Sequence, residues 1–227
     1  MSGKPTILIV GASRGIGLAL VGQFAALGWR VLGTARDIGA GAAISKAGGE
    51  VHLCDVTDAA SVARLGGSLA KESIDVLLCN AGIYGPRDWA IGNTDYAAWE
   101  QVMKVNVFGP MRLVEALIEP VARSSRKTIV TTSSRMGSIA SHSGGAPIYR
   151  TSKAALNLLV KGWSIDFASR GITAVTYHPG WVQTDMGGAS ATLTVAESTS
   201  AIAKLIDGLG PKDNGKFFNY DGAELPW

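Results

Sequence analysis

Hydrophobic residues make up 47% of this 227-residue chain and charged residues 17%, which is enough apolar surface for a sizeable core and excludes both disorder and a small disulfide-stapled scaffold. The 21 Lys and Arg against 18 Asp and Glu leave a formal charge of +3, and the densest basic group, Arg123, Arg126 and Lys127, is too thin for a nucleic-acid-binding stripe. No apolar run approaches the roughly 20 residues of a membrane helix and nothing reads as a signal peptide, so a cytoplasmic protein without membrane partners is expected. The two cysteines, Cys54 and Cys79, each close an apolar run and read as reduced structural thiols.

Short β-rich runs alternate with stretches of helical period along the chain. The strands are expected at Thr6 to Val10, Arg30 to Thr34, Val51 to Cys54, Val76 to Cys79, Thr128 to Thr132, Thr173 to His178 and Lys216 to Tyr220. Helices are expected over Gly15 to Leu27, Ala59 to Ala70, Asp95 to Ala122, Pro147 to Ala168 and Val195 to Leu209, with only a weak segment at Gly41 to Ala47. The early strands lack period-2 alternation, as strands covered on both faces by helices do, and the class is therefore α/β with a parallel sheet. No repeat or linker divides the chain, so one domain over 1–227 is expected, with a small-residue-rich, mobile stretch at Gly187 to Thr194 within a short loop near 185–195.

In open parallel sheets ligands bind beyond the carboxyl ends of the strands. After the first strand stands Gly11-Ala-Ser-Arg-Gly15-Ile-Gly17, running into a helix. Glycines let the backbone approach a pyrophosphate, while the helix N-terminus stabilises its charge, although a tight strand-to-helix turn also favours glycine for its own sake. After the second strand comes Thr34-Ala35-Arg36, where a small residue replaces the acidic one that would hold a ribose 2′-hydroxyl. Arg36, with Arg14 as a second cation, suits a 2′-phosphate and so NADP(H) over NAD(H). A register shift that made Asp37 the ribose ligand would favour NAD(H) instead.

Tyr149 and Lys153 open a helical segment at i and i+4, one face of the helix, where an ammonium lowers a phenol pKa towards the range of a general acid or base. The strand before them ends in Ser133-Ser134, placing a hydroxyl at the sheet edge where it can donate to a carbonyl oxygen. A nucleophilic serine is disfavoured, since G-x-S-x-G is absent, and His178 before Pro179 reads as a packed or turn histidine. There is no H-E-x-x-H and no Cys/His cluster of ligand spacing, which argues against a metal. Pro110 deprives the carbonyl of Asn106 of its helical partner, so a kink and a free acceptor for water are expected there.

Gly11-x-x-x-Gly15-x-Gly17, Asn80-Ala81-Gly82, Asn106, Ser134, Tyr149-x-x-x-Lys153 and Pro179-Gly-Trp-Val-Gln-Thr184 resemble, in order, the motifs of the short-chain dehydrogenase/reductase family over nearly the whole chain. Gly137, three residues after Ser134, fits the family rule and selects that serine over Ser133. The segments Ser134-Arg-Met-Gly-Ser-Ile, Tyr149 to Asn157 and Phe218-Asn-Tyr-Asp-Gly look like the C-factor and sniffer-type carbonyl reductase branch. Two departures stand outside the chemistry: Val10 where many members have threonine, and Cys79 in place of the first asparagine of Asn-Asn-Ala-Gly.

The resemblance implies a single Rossmann-type, doubly wound domain with a seven-stranded parallel sheet, and hydride transfer between nicotinamide C4 and a carbonyl or alcohol carbon. Tyr149 would move the proton, Ser134 would hold the substrate oxygen, Lys153 would bind the nicotinamide ribose and lower the Tyr149 pKa, and Asn106 would anchor a relay water. It further implies cofactor contacts from Gly11, Ser13, Arg14, Ile16 and Gly17, from Arg36, Asp55 and Val56, from Asn80, Ala81 and Gly82, from Tyr149 and Lys153, and from Pro179, Gly180, Val182 and Thr184. Trp89, Met136, Trp181 and Met186 are candidates for an open, poorly selective substrate pocket, each equally open to a packing role. Apolar outer positions on the long helices fit a homodimer or homotetramer. A non-catalytic dinucleotide-binding regulator is the alternative from another class, and nucleotide-sugar epimerase or dehydratase chemistry is disfavoured by the short chain.

Overall fold

β1 (Thr6–Val10) is buried along its whole length, and its side chains divide between two cores. The computed structural model describes residues 4–227; residues 1–3, the start of the expected 1–227 domain, lie outside the described residues. Leu8 and Val10 join one cluster and Ile7 and Ile9 the other, because successive Cβ atoms of a strand point to opposite faces. The remaining strands are β2 (Arg30–Ala35), β3 (Glu50–Leu53), β4 (Val76–Cys79), β5 (Thr128–Thr132), β6 (Thr173–His178) and β7 (Phe217–Asn219). They pair in parallel in the order β3-β2-β1-β4-β5-β6-β7.

On one face α3 (Ala59–Ser68), α5 (Gly109–Ala122) and α6 (Pro147–Asp166) cover the sheet through Leu65, Leu117 and Val160. On the other face α1 (Gly15–Ala26), α2 (Ile38–Lys46) and α7 (Val195–Gly208) do so through Phe24, Ile44 and Ile206. The order reverses between β1 and β4, and that switch point opens a crevice at the carboxyl edge.

Three details differ from the sequence expectation. The weak segment at 41–47 is a full helix, α2, because Asp37 accepts from the Ala40 N–H at 2.8 Å and caps its start. The stretch expected as one kinked helix is α4 (Tyr96–Met103), a π-helical turn over Lys104–Phe108 and then α5. Pro110 has no N–H to give, and the hydrogen-bond ladder widens so that Gly109 N–H reaches the Lys104 carbonyl. Pro120, inside α5, causes no break. The third difference is the 185–195 loop, taken up with the site.

Candidate active site

The Gly11–Gly17 turn is held in a form that only glycine permits at its two ends. Gly11 has φ 87°, and a Cβ there would lie 2.7 Å from Ala81 Cα; a Cβ on Gly17 would fall 2.1 Å from the Gly11 carbonyl oxygen. Asn80, just after β4, donates from Nδ2 to that same oxygen at 2.9 Å, and Thr132 Oγ1 donates to Asn80 Oδ1 at 3.1 Å. The first N–H groups of α1 have no side-chain cap and no acidic residue beside them. They face a cleft of about 780 Å³, which also takes in Ser13, Arg14, Ile16, Asp55 and Val56. Free N–H donors, backbone exposed by glycine and a cation at Arg14 form a set that fits a dinucleotide's pyrophosphate.

At the far end of the cleft, Ala35 closes β2 and Arg36 lines the opening. Asp37 Oδ1 caps α2, and the residue is absent from the cleft lining. Asp55 is fixed by Thr57, whose N–H and hydroxyl donate to Oδ1 at 2.8 and 2.7 Å. Those bonds, with the nearby Arg36 charge, hold its carboxyl below the usual range. Arg14 spans to Asp185 Oδ2 at 3.1 Å, but both side chains are exposed and the pair contributes little.

At the other end, Lys153 and Tyr149 project from α6 into the cleft. Lys153 is 3% exposed, donates from Nζ to the Thr132 carbonyl at 2.8 Å and sits 5.7 Å from the Tyr149 ring centroid. Burial pushes the Lys153 ammonium down to about 8 and the Tyr149 phenol up to about 12. The Ser134 hydroxyl pulls the phenol back part of the way. The expected lowering of Tyr149 by Lys153 does not set the direction: burial desolvates both groups, and each moves towards its neutral form.

Ser134 caps a 3₁₀ turn, Arg135–Gly137, by accepting from the Met136 N–H at 3.2 Å. This turn is positioned by Asn157, which sequence reasoning did not assign a role. Asn157 Oδ1 accepts from Ser133 Oγ at 2.5 Å and its Nδ2 donates to the Gly137 carbonyl at 3.2 Å. Asn106 lies in the π turn and is fully buried. Its side chain accepts from Ile83 N–H at 2.9 Å and donates to the Ile83 carbonyl at 2.9 Å and to Ser152 Oγ at 3.0 Å. A Cβ added to Gly82 would lie 3.4 Å from Asn106 Oδ1 and 3.5 Å from Lys153 Nζ, which brings the two residues to one spot.

The sequence model of the short chain dehydrogenase family matches residues 5–193. The chain belongs to the short-chain dehydrogenases. It is accordingly an oxidoreductase of that family. It is 44% identical over 156 residues to C-signal of Myxococcus xanthus, covering 68% of this chain and 93% of that protein. The structure of carbonyl reductase Sniffer of D. melanogaster superposes with a TM-score of 0.91 at 34% identity, over 99% of this chain and 100% of that one. A carbonyl reductase from Pseudomonas aeruginosa PAO1 in complex with NADP gives a TM-score of 0.85 at 36% identity, over 99% of this chain and 100% of that one.

In this short-chain dehydrogenase Ala81, Gly82, Pro179 and Thr184 line the cleft, together with Gln183 and Thr132, which were not foreseen. Gly180 and Val182 lie behind it: Gly180 turns with φ 83° against Leu193, and Val182 bridges to Leu193. Met186 faces the cleft, whereas Met136, Trp89 and Trp181 are outside its lining. The 185–195 segment is not the loose loop its composition suggests. Trp181 Nε1 donates to the Gly187 carbonyl at 2.9 Å, Gln183 Nε2 to the Ala191 carbonyl at 3.0 Å, and Leu193 N–H to the Trp181 carbonyl at 3.0 Å. Small residues let this turn fold back on itself, and backbone bonds pin it.

His178 is half-buried with its Nδ1 unpartnered, and burial pushes it down to about 4, in keeping with a packed histidine. Cys54 and Cys79 are buried free thiols pushed up to about 11 and about 12. Among the described residues no cluster could hold a metal ion and no helix is long and apolar enough to cross a membrane.

Proposed function

We propose that this short-chain dehydrogenase is an NADP(H)-dependent carbonyl reductase or alcohol dehydrogenase in which Tyr149 is the general acid and base. The observation that carries the reading is Tyr149 and Lys153 at the end of a cleft whose other end offers a glycine turn, Arg14 and Arg36, with the Ser134 hydroxyl against the Tyr149 phenol just outside the cleft lining. The cofactor bound in the Pseudomonas carbonyl reductase supports NADP(H), and Asp37's engagement with α2 supports it over NAD(H). Gly11, Ser13 and Gly17 would hold the pyrophosphate, Arg36 and Arg14 the 2′-phosphate, Asp55, Val56 and Asn80 the adenosine side, and Lys153 the nicotinamide ribose. Bound there, the nicotinamide supplies or accepts the hydride.

The protein's own part is proton transfer and orientation. Ser134 donates to the substrate oxygen and holds it against Tyr149. With its pKa raised, the phenol keeps its proton at neutral pH and gives it as negative charge develops on that oxygen, which suits reduction. In the reverse direction the phenolate must form first, and high pH favours it. Lys153, fixed to Thr132, and Asn106 would serve a water chain that restores the proton.

Leu158 and Ile165 stand two turns apart on one face of α6, 74% and 67% exposed, and this face supports a homodimer or homotetramer, with sedimentation as the measure. The reading keeps 1–227 as one domain and a cytoplasmic location. A panel of aldehydes, ketones and diketones with NADPH, and NADH as control, tests it: turnover with NADPH is expected, and activity confined to one of many similar carbonyls would end the idea of a poorly selective pocket. Likeness to the protein named C-signal favours one alternative, a dinucleotide-binding regulator without turnover. Tight NADPH binding with no turnover on any carbonyl or alcohol would support that alternative.

A further inference from the structure

Tyr84, in the segment between β4 and α4, stacks on Tyr149 with ring centroids 4.5 Å apart and planes 24° from parallel. The Arg87 guanidinium lies over the Tyr84 ring at 4.7 Å from its centroid, and Arg87 Nη2 donates to the Met186 carbonyl. Three separate parts of the chain thus meet in one column: α6 at Tyr149, the β4–α4 segment at Tyr84 and Arg87, and the pinned substrate loop at Met186. None of this pairing follows from the order of the motifs, since Tyr84 and Arg87 lie outside all of them.

We propose that Tyr84 is a positioning residue for Tyr149, and that Arg87 ties this stack to the substrate loop. The proposal rests on the acid–base role given to Tyr149 above. A phenol on α6 can tip about its χ angles unless a neighbour fixes its plane, and a parallel ring at 4.5 Å does so while keeping water off one face. The other groups facing Tyr149 are Lys153 on the same helix and Ser134 after β5, with Arg87 behind Tyr84. Tyr84 adds to the rise of the Tyr149 pKa that burial causes. Arg87, braced on an aromatic face, holds the one substrate-loop residue of the predicted pocket that does face the cleft, Met186.

The test compares Tyr84→Ala, Tyr84→Phe, Arg87→Ala and Tyr149→Phe for NADPH affinity, kcat, KM and the pH dependence of alcohol oxidation. Tyr84→Ala is expected to lower kcat roughly three- to tenfold, the scale of a lost aromatic pair, and to move the alkaline rise of oxidation to lower pH. Tyr84→Phe keeps the stack and should stay near wild type in both. Arg87→Ala should raise KM for the carbonyl with the pH profile unmoved. NADPH affinity should be unchanged throughout, and this serves as the check on folding, with Tyr84→Leu as a second variant that removes the aromatic face. A wild-type kcat and pH profile in Tyr84→Ala or Tyr84→Leu, beside an inactive Tyr149→Phe, would overturn the proposal alone; an active Tyr149→Phe would overturn it together with the acid–base reading.

Discussion

Burial moves Tyr149 and Lys153 towards their uncharged forms, and the signs of those shifts give opposite pH behaviour for the two directions of reaction. Reduction needs the phenol protonated and should stay level through neutral pH. Alcohol oxidation needs the phenolate, so its kcat/KM should keep climbing from neutral pH towards the phenol's value of about 12, and a level oxidation profile would contradict the assignment. Arg36 is the second residue whose role is measurable by itself. Arg36→Ala should weaken NADPH binding about tenfold or more while leaving NADH binding nearly unchanged, read by titrating both cofactors. His178 bears on stability rather than turnover. The folded chain takes up its proton only near pH 4 and the unfolded chain near 6.5, so the unfolded state binds more protons between those values and stability falls as pH drops through them. The shift corresponds to roughly 3 kcal/mol, and His178→Gln should flatten the acid limb of denaturant midpoints.

At the scale of elements, the strands and most helices were legible because buried parallel strands and amphipathic helices leave periodic apolar patterns. Two features were not. The capped helix α2 is short and glycine-rich, so the side-chain bond from Asp37 matters more than its weak pattern. The loop after Thr184 is made of small residues that look loose in sequence, while its order comes from backbone and Trp181 and Gln183 bonds that composition does not record. The π turn lies between these cases: Pro110 announced a lost hydrogen bond at Asn106, but not that the ladder would widen into a π turn there, nor that the Asn106 amide would clamp Ile83. Asn106→Leu removes that clamp and leaves the Ile83 N–H and carbonyl without their side-chain partner, while Ser152 Oγ keeps only its bond to the Tyr149 carbonyl. A loss of roughly 3 kcal/mol in urea denaturation is expected, and an unchanged midpoint would show that the clamp is replaceable.

Across the whole molecule, the parallel order β3-β2-β1-β4-β5-β6-β7 brings the Gly11 turn, Asn80, Ser134 and Thr184 to one edge although they are spread over most of the chain. Ordered motifs foretold that convergence, whereas the contact of Tyr84 with Tyr149 could not be read without coordinates, since nothing in the sequence fixes where the β4–α4 segment folds. Proton transfer by Tyr149 at the end of this cleft is the central claim. Its most direct test is NADPH oxidation by wild type and Tyr149→Phe side by side on the best carbonyl of the panel, with NADPH affinity measured on the same samples. Turnover reduced at least about 100-fold with affinity unchanged is the predicted result, and undiminished turnover in Tyr149→Phe would contradict it.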